Sequence, residues 1–457
     1  MRPSIVIVAD DLTGAADCGV ACTAAGLSTV VVLSEAMRAR DLAAEAIAFD
    51  ADTRRQLPEA AGAATELAVH QLCAAGGVRV LYKKIDSTLR GNFAVEIAAA
   101  RRSSAGLLPQ GETSDEIAPA PPLAIVAPAF PATGRTTCGG RMFLRGKPLE
   151  ESEVWRNERI SGVADVPALL QTAGGLSTAS VELETIRADV ETLAATLAKH
   201  AIAGVEAVVC DAEAEEDLSA IAHAVVRLRR PVVFAGSAGL ARHLPQAFGL
   251  MRKQESPPNL VQSASTPEPN SPISGSGPAA WAPLLFVVGS MSQVSREQLR
   301  RLANESGVRV LTVSPATLRV GPGSVPWEDA MRLMDEALRG TDDVALALDL
   351  GQGINLSESA YLSGALAQFI LPLAWRFSGL FCTGGETARA LLAAAGAVGI
   401  RLVGEVEPGV PLGTMEGWHN LPIVTKAGAF GTPQTLVRCR AALRRLCGST
   451  NLEKTYL

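Results

Sequence analysis

Aromatic residues make up only 4% of this 457-residue chain, against 48% apolar residues overall. Ala dominates the apolar fraction, which suits helices packed on a buried parallel sheet better than a β-sandwich. The eight cysteines are scattered, and only Cys18 and Cys22 lie close, at a helical spacing with no second pair nearby. This pattern excludes a disulfide framework and a zinc site and reads as buried thiols. Charge of either sign is also scarce: a net charge of -6 and a pI near 5.6 exclude a broad basic face for nucleic acid, though not a local basic pocket. No apolar run approaches a membrane span. The N-terminus enters a strand without the basic, apolar and small-residue order of a signal peptide, so the expectation is a cytoplasmic protein. The five histidines are isolated, which argues against metal or triad roles for them.

Several phosphate and nucleophile signatures are missing too. The string nearest a Walker A loop, GRMFLRGKP, has the wrong glycine spacing and places Pro148 where a hydroxyl is needed. There is no G-x-S-x-G elbow, and no G-x-G-x-x-G fingerprint follows a strand. A Rossmann-type oxidoreductase is therefore the weaker alternative, separable by NAD(H) titration.

The length favours two domains. From Glu255 to Ala280 the chain is Pro, Ser and Gly with almost nothing to bury, which predicts a flexible linker between an N-terminal domain, 1–254, and a C-terminal domain, 281–447, with a frayed tail at 448–457. Ser103 to Pro122 has the same character and reads as a surface insertion. In the first half, apolar runs at 5–9, 29–33, 78–82, 123–127, 205–210 and 231–235 alternate with helical patterns at 13–25, 58–75 and 215–229. In the second half, strands near 284–288, 308–313, 344–349, 379–382 and 421–425 alternate with helices near 293–305, 327–339, 357–374 and 386–395. Both halves read as α/β units with largely parallel sheets, and no repeat of fixed period is visible.

Five loops share a layout in which an apolar strand ends in Asp, Gly, Ser or Lys, often ahead of a helix. Such residues fall at the carboxyl ends of parallel strands, where α/β proteins bind small anions. Asp10-Asp11-Leu12-Thr13-Gly14 follows IVIVA; one Asp can be a plain helix cap, but two adjacent ones leave one facing the crevice. KKIDSTLRG, residues 83–91, gathers cations and hydroxyls suited to a sugar-acid carboxylate, against the plainer reading of a solvated turn. Arg54, closing AIAFDADTR, is a candidate second clamp. Gly289-Ser290, Thr383-Gly384-Gly385-Glu386 and KAGAFG at 426–431 offer bare backbone N–H groups that can cradle a phosphate. A single such loop is weak; three in one domain favour a nucleotide site.

IVIVADDLTGAAD, KKIDSTLRGN, PAFPATGRTT, VVGSMSQVSREQL, CTGGETARALL, EVEPGVPLGTMEG and LPIVTKAGAFGTPQTL together resemble the four-carbon acid sugar kinase family, which includes D-threonate, D-erythronate and 3-oxo-tetronate kinases. The seven blocks keep family order from residue 5 to 436. The resemblance implies an acid-sugar domain, an ATP domain, an active site in the cleft between them, and γ-phosphoryl transfer to the C4 hydroxyl, with Mg²⁺ on the phosphates. It carries Asp11, Arg54, Lys84, Asp86, Ser87 and Arg90 over as substrate residues, with DADTR leaving Arg54 and Arg55 both open. Ser290, Gly384, Gly385, Glu386, Thr387 and Gly428 are carried over as ATP contacts. The catalytic base is Asp11 or Asp86, with a lean to Asp86 because its loop also carries the cations. The metal ligands are unassigned, the partner is a small sugar acid, and a homodimer is left open. A non-catalytic sugar-acid sensor is the other alternative, separable by ATP consumption on adding a four-carbon acid.

Overall fold

The computed structural model describes residues 2–33, 42–108, 121–228, 230–252, 282–290, 292–349, 358–428 and 430–454. The segment expected as a linker, 255–280, lies outside these, as does most of the insertion expected at 103–122. The chain divides into two compact units, Met1–Lys253 and Gln254–Leu457. No helix among the described residues is long and apolar enough to cross a membrane.

The first unit is built on parallel strands in the order β2-β3-β1-β4-β11-β5-β10-β9. These are β1 (Ile5–Ala9), β2 (Thr29–Val32), β3 (Ala46–Asp50), β4 (Val80–Lys84), β5 (Leu123–Ala127), β9 (Thr178–Val181), β10 (Ala207–Cys210) and β11 (Val232–Gly236). Runs such as IVIVA are buried on both faces because helices cover the sheet, which is why they read as continuous apolar strings rather than alternating ones. From β1 the chain fills one side of the sheet with β2 and β3, then crosses to the other with β4. The carboxyl ends of β1 and β4 therefore flank a topological switch point, the usual place for a ligand crevice.

The same arrangement recurs in the second unit, whose order is β13-β14-β12-β15-β18-β17-β16. Here β12 (Leu284–Val288), β13 (Val308–Val313), β14 (Asp343–Leu348), β15 (Gly379–Thr383) and β18 (Pro422–Lys426) run parallel where they pair, and the switch lies between β12 and β15. The strands expected from the sequence omit β3 and β9, and also β16 (Gly399–Glu405) and β17 (Pro411–Glu416), which pair antiparallel. GIRLVGE and PLGTME carry Gly and charges that weaken the strand signal, so pairing rather than propensity makes them strands.

A small antiparallel sheet, β6 (Arg135–Cys138), β7 (Arg141–Leu144) and β8 (Lys147–Pro148), was also not foreseen. Its Met142, with Leu149 and Trp155, shares a core with Ile85 and Leu89 of the KKIDSTLRG loop. At the other end of the chain, the last helix runs from Thr435 to Lys454, into the stretch expected as a tail. It is pinned by fully buried Asp343, which pairs with Arg440 and Arg444 and accepts the Leu284 N–H at 2.7 Å.

Candidate active site

At the switch point of the first unit, three acids and three cations meet. Asp11 caps the helix Leu12–Ala24 by accepting the Gly14 N–H at 2.8 Å. That helix start is pressed against β4: a Cβ on Gly14 would sit 2.7 Å from Asp11 Oδ1 and 2.8 Å from Lys84 Nζ. Arg54 reaches in from the loop after β3, donating from Nε to Asp10 at 2.7 Å and from Nη1 to Asp11 at 2.6 Å, with Nη2 3.4 Å from Asp86. The loop is fixed by main-chain bonds from Thr53 N and Arg54 N to Asp10 O. The expected clamp is thus in the cluster, while Arg55 is exposed at the surface.

Asp86 is the hub of KKIDSTLRG. It accepts the Thr88 N–H at 2.9 Å and the Thr88 hydroxyl, and Arg90 grips both its oxygens at 3.1 and 2.7 Å. Burial alone would raise its pKa, but Arg90 and then Arg54 overcome that and hold it well below the usual carboxylate range. Asp10, more deeply buried, is lowered by Arg54, Lys84 and Lys83 against the same burial penalty. Lys84 is buried, donates to Ile85 O at 2.7 Å, and keeps its proton because the acids, Asp10 foremost, outweigh the desolvation that would strip it. Ser87 lies half-buried between Asp86 and Thr88. The Trp155 indole holds the loop from behind by donating to Thr88 O at 2.8 Å.

The sequence places Asp10 at the helix mouth, Lys83 in the KKIDSTLRG loop and Thr53 in DADTR without marking any of them as a site residue, and Glu96 carries no signal there. Lys83 and Glu96 are both fully buried and 3.3 Å apart, and Thr53 donates to Glu96. Buried charges persist only when paired. This pair forms the floor on which the Arg54 loop rests.

In the second unit, the three Gly-rich loops come together at the other switch point. Gly289 lies so close to Thr387 that a Cβ would meet its hydroxyl at 2.3 Å; Gly428 stands against Ser290 in the same way, at 2.0 Å. Ser292 and Ser295 donate to Gly428 O at 2.7 and 2.9 Å, and Gly384 N to Lys426 O at 2.9 Å. Gly384, at φ 98, precedes the helix Gly385–Ala394, whose free N–H groups favour an anion. Glu386, in that helix's first turn, accepts the Ser359 hydroxyl, and Thr387 is buried behind it, 3.4 Å from the Ser363 hydroxyl.

The two halves also match separate family models: a sugar-binding N-terminal domain over residues 5–244 and a nucleotide-binding C-terminal domain over residues 285–436. The chain belongs to the four-carbon acid sugar kinase family. It is 43% identical over 437 residues to a D-threonate kinase of Cupriavidus necator, covering 95% of this chain and 96% of that one. A D-threonate kinase of Bordetella bronchiseptica is 33% identical, with 97% and 98% covered. A crystal structure from Salmonella typhimurium superposes with a TM-score of 0.73 at 20% identity, covering 96% of this chain and 99% of that one, and shows the shared fold alone. In this acid sugar kinase the charged cluster falls within the sugar-binding match and the three loops within the nucleotide-binding match.

Proposed function

We propose that the protein transfers the γ-phosphoryl group of ATP to the C4 hydroxyl of a four-carbon sugar acid, with D-threonate the favoured substrate, as a cytoplasmic enzyme of sugar-acid catabolism. The observation that carries this reading is the Asp10, Asp11, Arg54, Lys84, Asp86 and Arg90 cluster at a strand switch point within a sugar-binding family match. The 43% identity to a D-threonate kinase favours threonate over erythronate or 3-oxo-tetronate.

The roles follow from which groups have capacity to spare. Arg54 and Arg90 are largely engaged by their own acids, whereas Lys84 has donors beyond its bond to Ile85 O and is the foremost candidate to meet the substrate carboxylate. Arg54 and Arg90 position the acids and offset charge that develops during transfer. Asp86 already accepts four hydrogen bonds. Asp11 keeps a partly exposed side chain and, among the described residues, two hydrogen-bonding partners, which favours it for taking the C4 hydroxyl proton, with Asp86 organising the loop. Ser290, Gly384, Gly385, Glu386, Thr387 and Gly428 form the backbone-rich cradle for the triphosphate.

Among the described residues no three of His, Cys, Asp or Glu converge as a metal site. A Mg²⁺ ion carried by the nucleotide's own phosphates fits such a protein, and it would neutralise phosphate charge there. ADP release coupled to a reporter, screened over both enantiomers of threonate and erythronate and over 3-oxo-tetronate, tests the reading. D-threonate is expected to give the highest kcat/KM; ATP consumption that no four-carbon acid stimulates would refute it.

A further inference from the structure

Lys426 ends β18 at the start of the KAGAFG loop and is 1% exposed. A lysine beside a Gly-rich phosphate loop invites comparison with lysines that touch phosphate directly, but its three donors are all spent. The ammonium donates to Ala427 O at 2.9 Å, Gly428 O at 3.1 Å and Phe430 O at 3.0 Å. Glu407, the acid facing this region, is itself engaged by Arg438 at 2.6 Å and by Thr435, so the lysine is held by main chain rather than by an ion pair.

Gathering carbonyls inward has a consequence for the other side of the loop. In a planar trans peptide the C=O and the following N–H point in opposite directions. The planes whose oxygens face the ammonium therefore turn the N–H groups of Gly428 and Gly431 away from it. The Phe430 N–H between them is spent on Ala427 O at 3.1 Å, so the outward donors are the Gly428 and Gly431 amides, and outward main-chain N–H groups favour an anion. Glycine at both ends is enforced by space, since a Cβ would meet Ser290 Oγ at 2.0 Å from Gly428 and Thr435 Oγ1 at 2.3 Å from Gly431. Ser292 and Ser295 add two donors to Gly428 O and lock the same orientation.

We propose that Lys426 is a positioning residue for the phosphate chain of the nucleotide: it does not contact the phosphates, but by drawing the Ala427 and Phe430 carbonyls inward it turns the Gly428 and Gly431 amides toward them. This rests on the nucleotide reading of the second unit and extends it. Burial pushes the ammonium down to about 8, a cost consistent with a group kept for the geometry it imposes.

Calorimetry on the full chain with ATP, inorganic tripolyphosphate and D-threonate, for wild type and Lys426→Met, tests the proposal. The variant should bind ATP and tripolyphosphate roughly tenfold to hundredfold more weakly, the worth of one or two amide bonds to a charged group. D-threonate affinity should be unchanged. Wild type that binds neither phosphate compound refutes the nucleotide reading itself. Wild type that binds ATP, with Lys426→Met binding it equally well, overturns only the role given to Lys426. A parallel loss for ATP and D-threonate together with a lower Tm also overturns it, because the lysine would then serve the fold alone. Should Lys426→Met fail to fold, Lys426→Arg decides by the same comparison: a planar guanidinium cannot gather three carbonyls on one atom, so full ATP affinity in that variant overturns the proposal.

Discussion

Asp11 and Asp86 are both acids at strand ends, yet their surroundings assign them different work. Asp86 is saturated by Thr88 and Arg90, while Asp11 shares its oxygens between one amide and one guanidinium. If Asp11 takes the proton, Asp11→Asn should lower kcat roughly hundredfold to ten-thousandfold with little change in Tm, measured by coupled assay and thermal melt. A kcat within about twofold of wild type would remove Asp11 from that role. Asp86→Asn should act on the fold as well, costing about 1–3 kcal/mol by loosening buried partners. Because the folded pKa of Asp86 lies below its unfolded value of about 3.9, its contribution is fully present above roughly pH 4 and is lost as pH falls through the folded value. Denaturant midpoints measured from pH 6 down to pH 2 should therefore fall less steeply for Asp86→Asn than for wild type.

At the scale of elements, function rests on the step where a strand turns into a helix. Gly384 stands at φ 98 and ψ 120, a region L-residues rarely enter, while Gly385 already opens the helix. A Cβ at Gly384 has room, its nearest neighbour being Thr387 Oγ1 at 3.6 Å, so Gly384→Ala strains the backbone without a clash. Strain of about 1–3 kcal/mol should lower Tm by several degrees and displace the N–H groups at the helix start. KM for ATP should rise while KM for the sugar acid holds. A folded Gly384→Ala protein with unaltered KM for ATP would take this helix start out of the nucleotide site.

At the scale of the whole molecule, each unit has its own set of parallel strands, its own switch point and its own core. The second unit expressed as residues 282–454 should bind ATP by calorimetry, and residues 2–252 should bind a sugar acid weakly. The boundary at 454 matters because the final helix, pinned through Arg440 and Arg444 to Asp343, extends to Lys454. ATP heat from the first fragment alone would reverse the assignment of ligands to units.

The sequence by itself determined the α/β class, most central strands and the five strand-end loops, because a strand buried on both faces is apolar along its whole length and its terminal polar residues are local in the chain. It did not place β3, although AIAFD is buried throughout, nor β9, β16 and β17 or the small sheet of β6 to β8, whose residues become strands only by finding partners. Nor did it show which groups are spent on one another. Arg54 meets Asp10 across 44 positions and Ser292 meets Gly428 across 136. Only the fold brings them within a hydrogen bond, and it is that spending of donors and acceptors that leaves Asp11 open, saturates Asp86 and turns Lys426 inward.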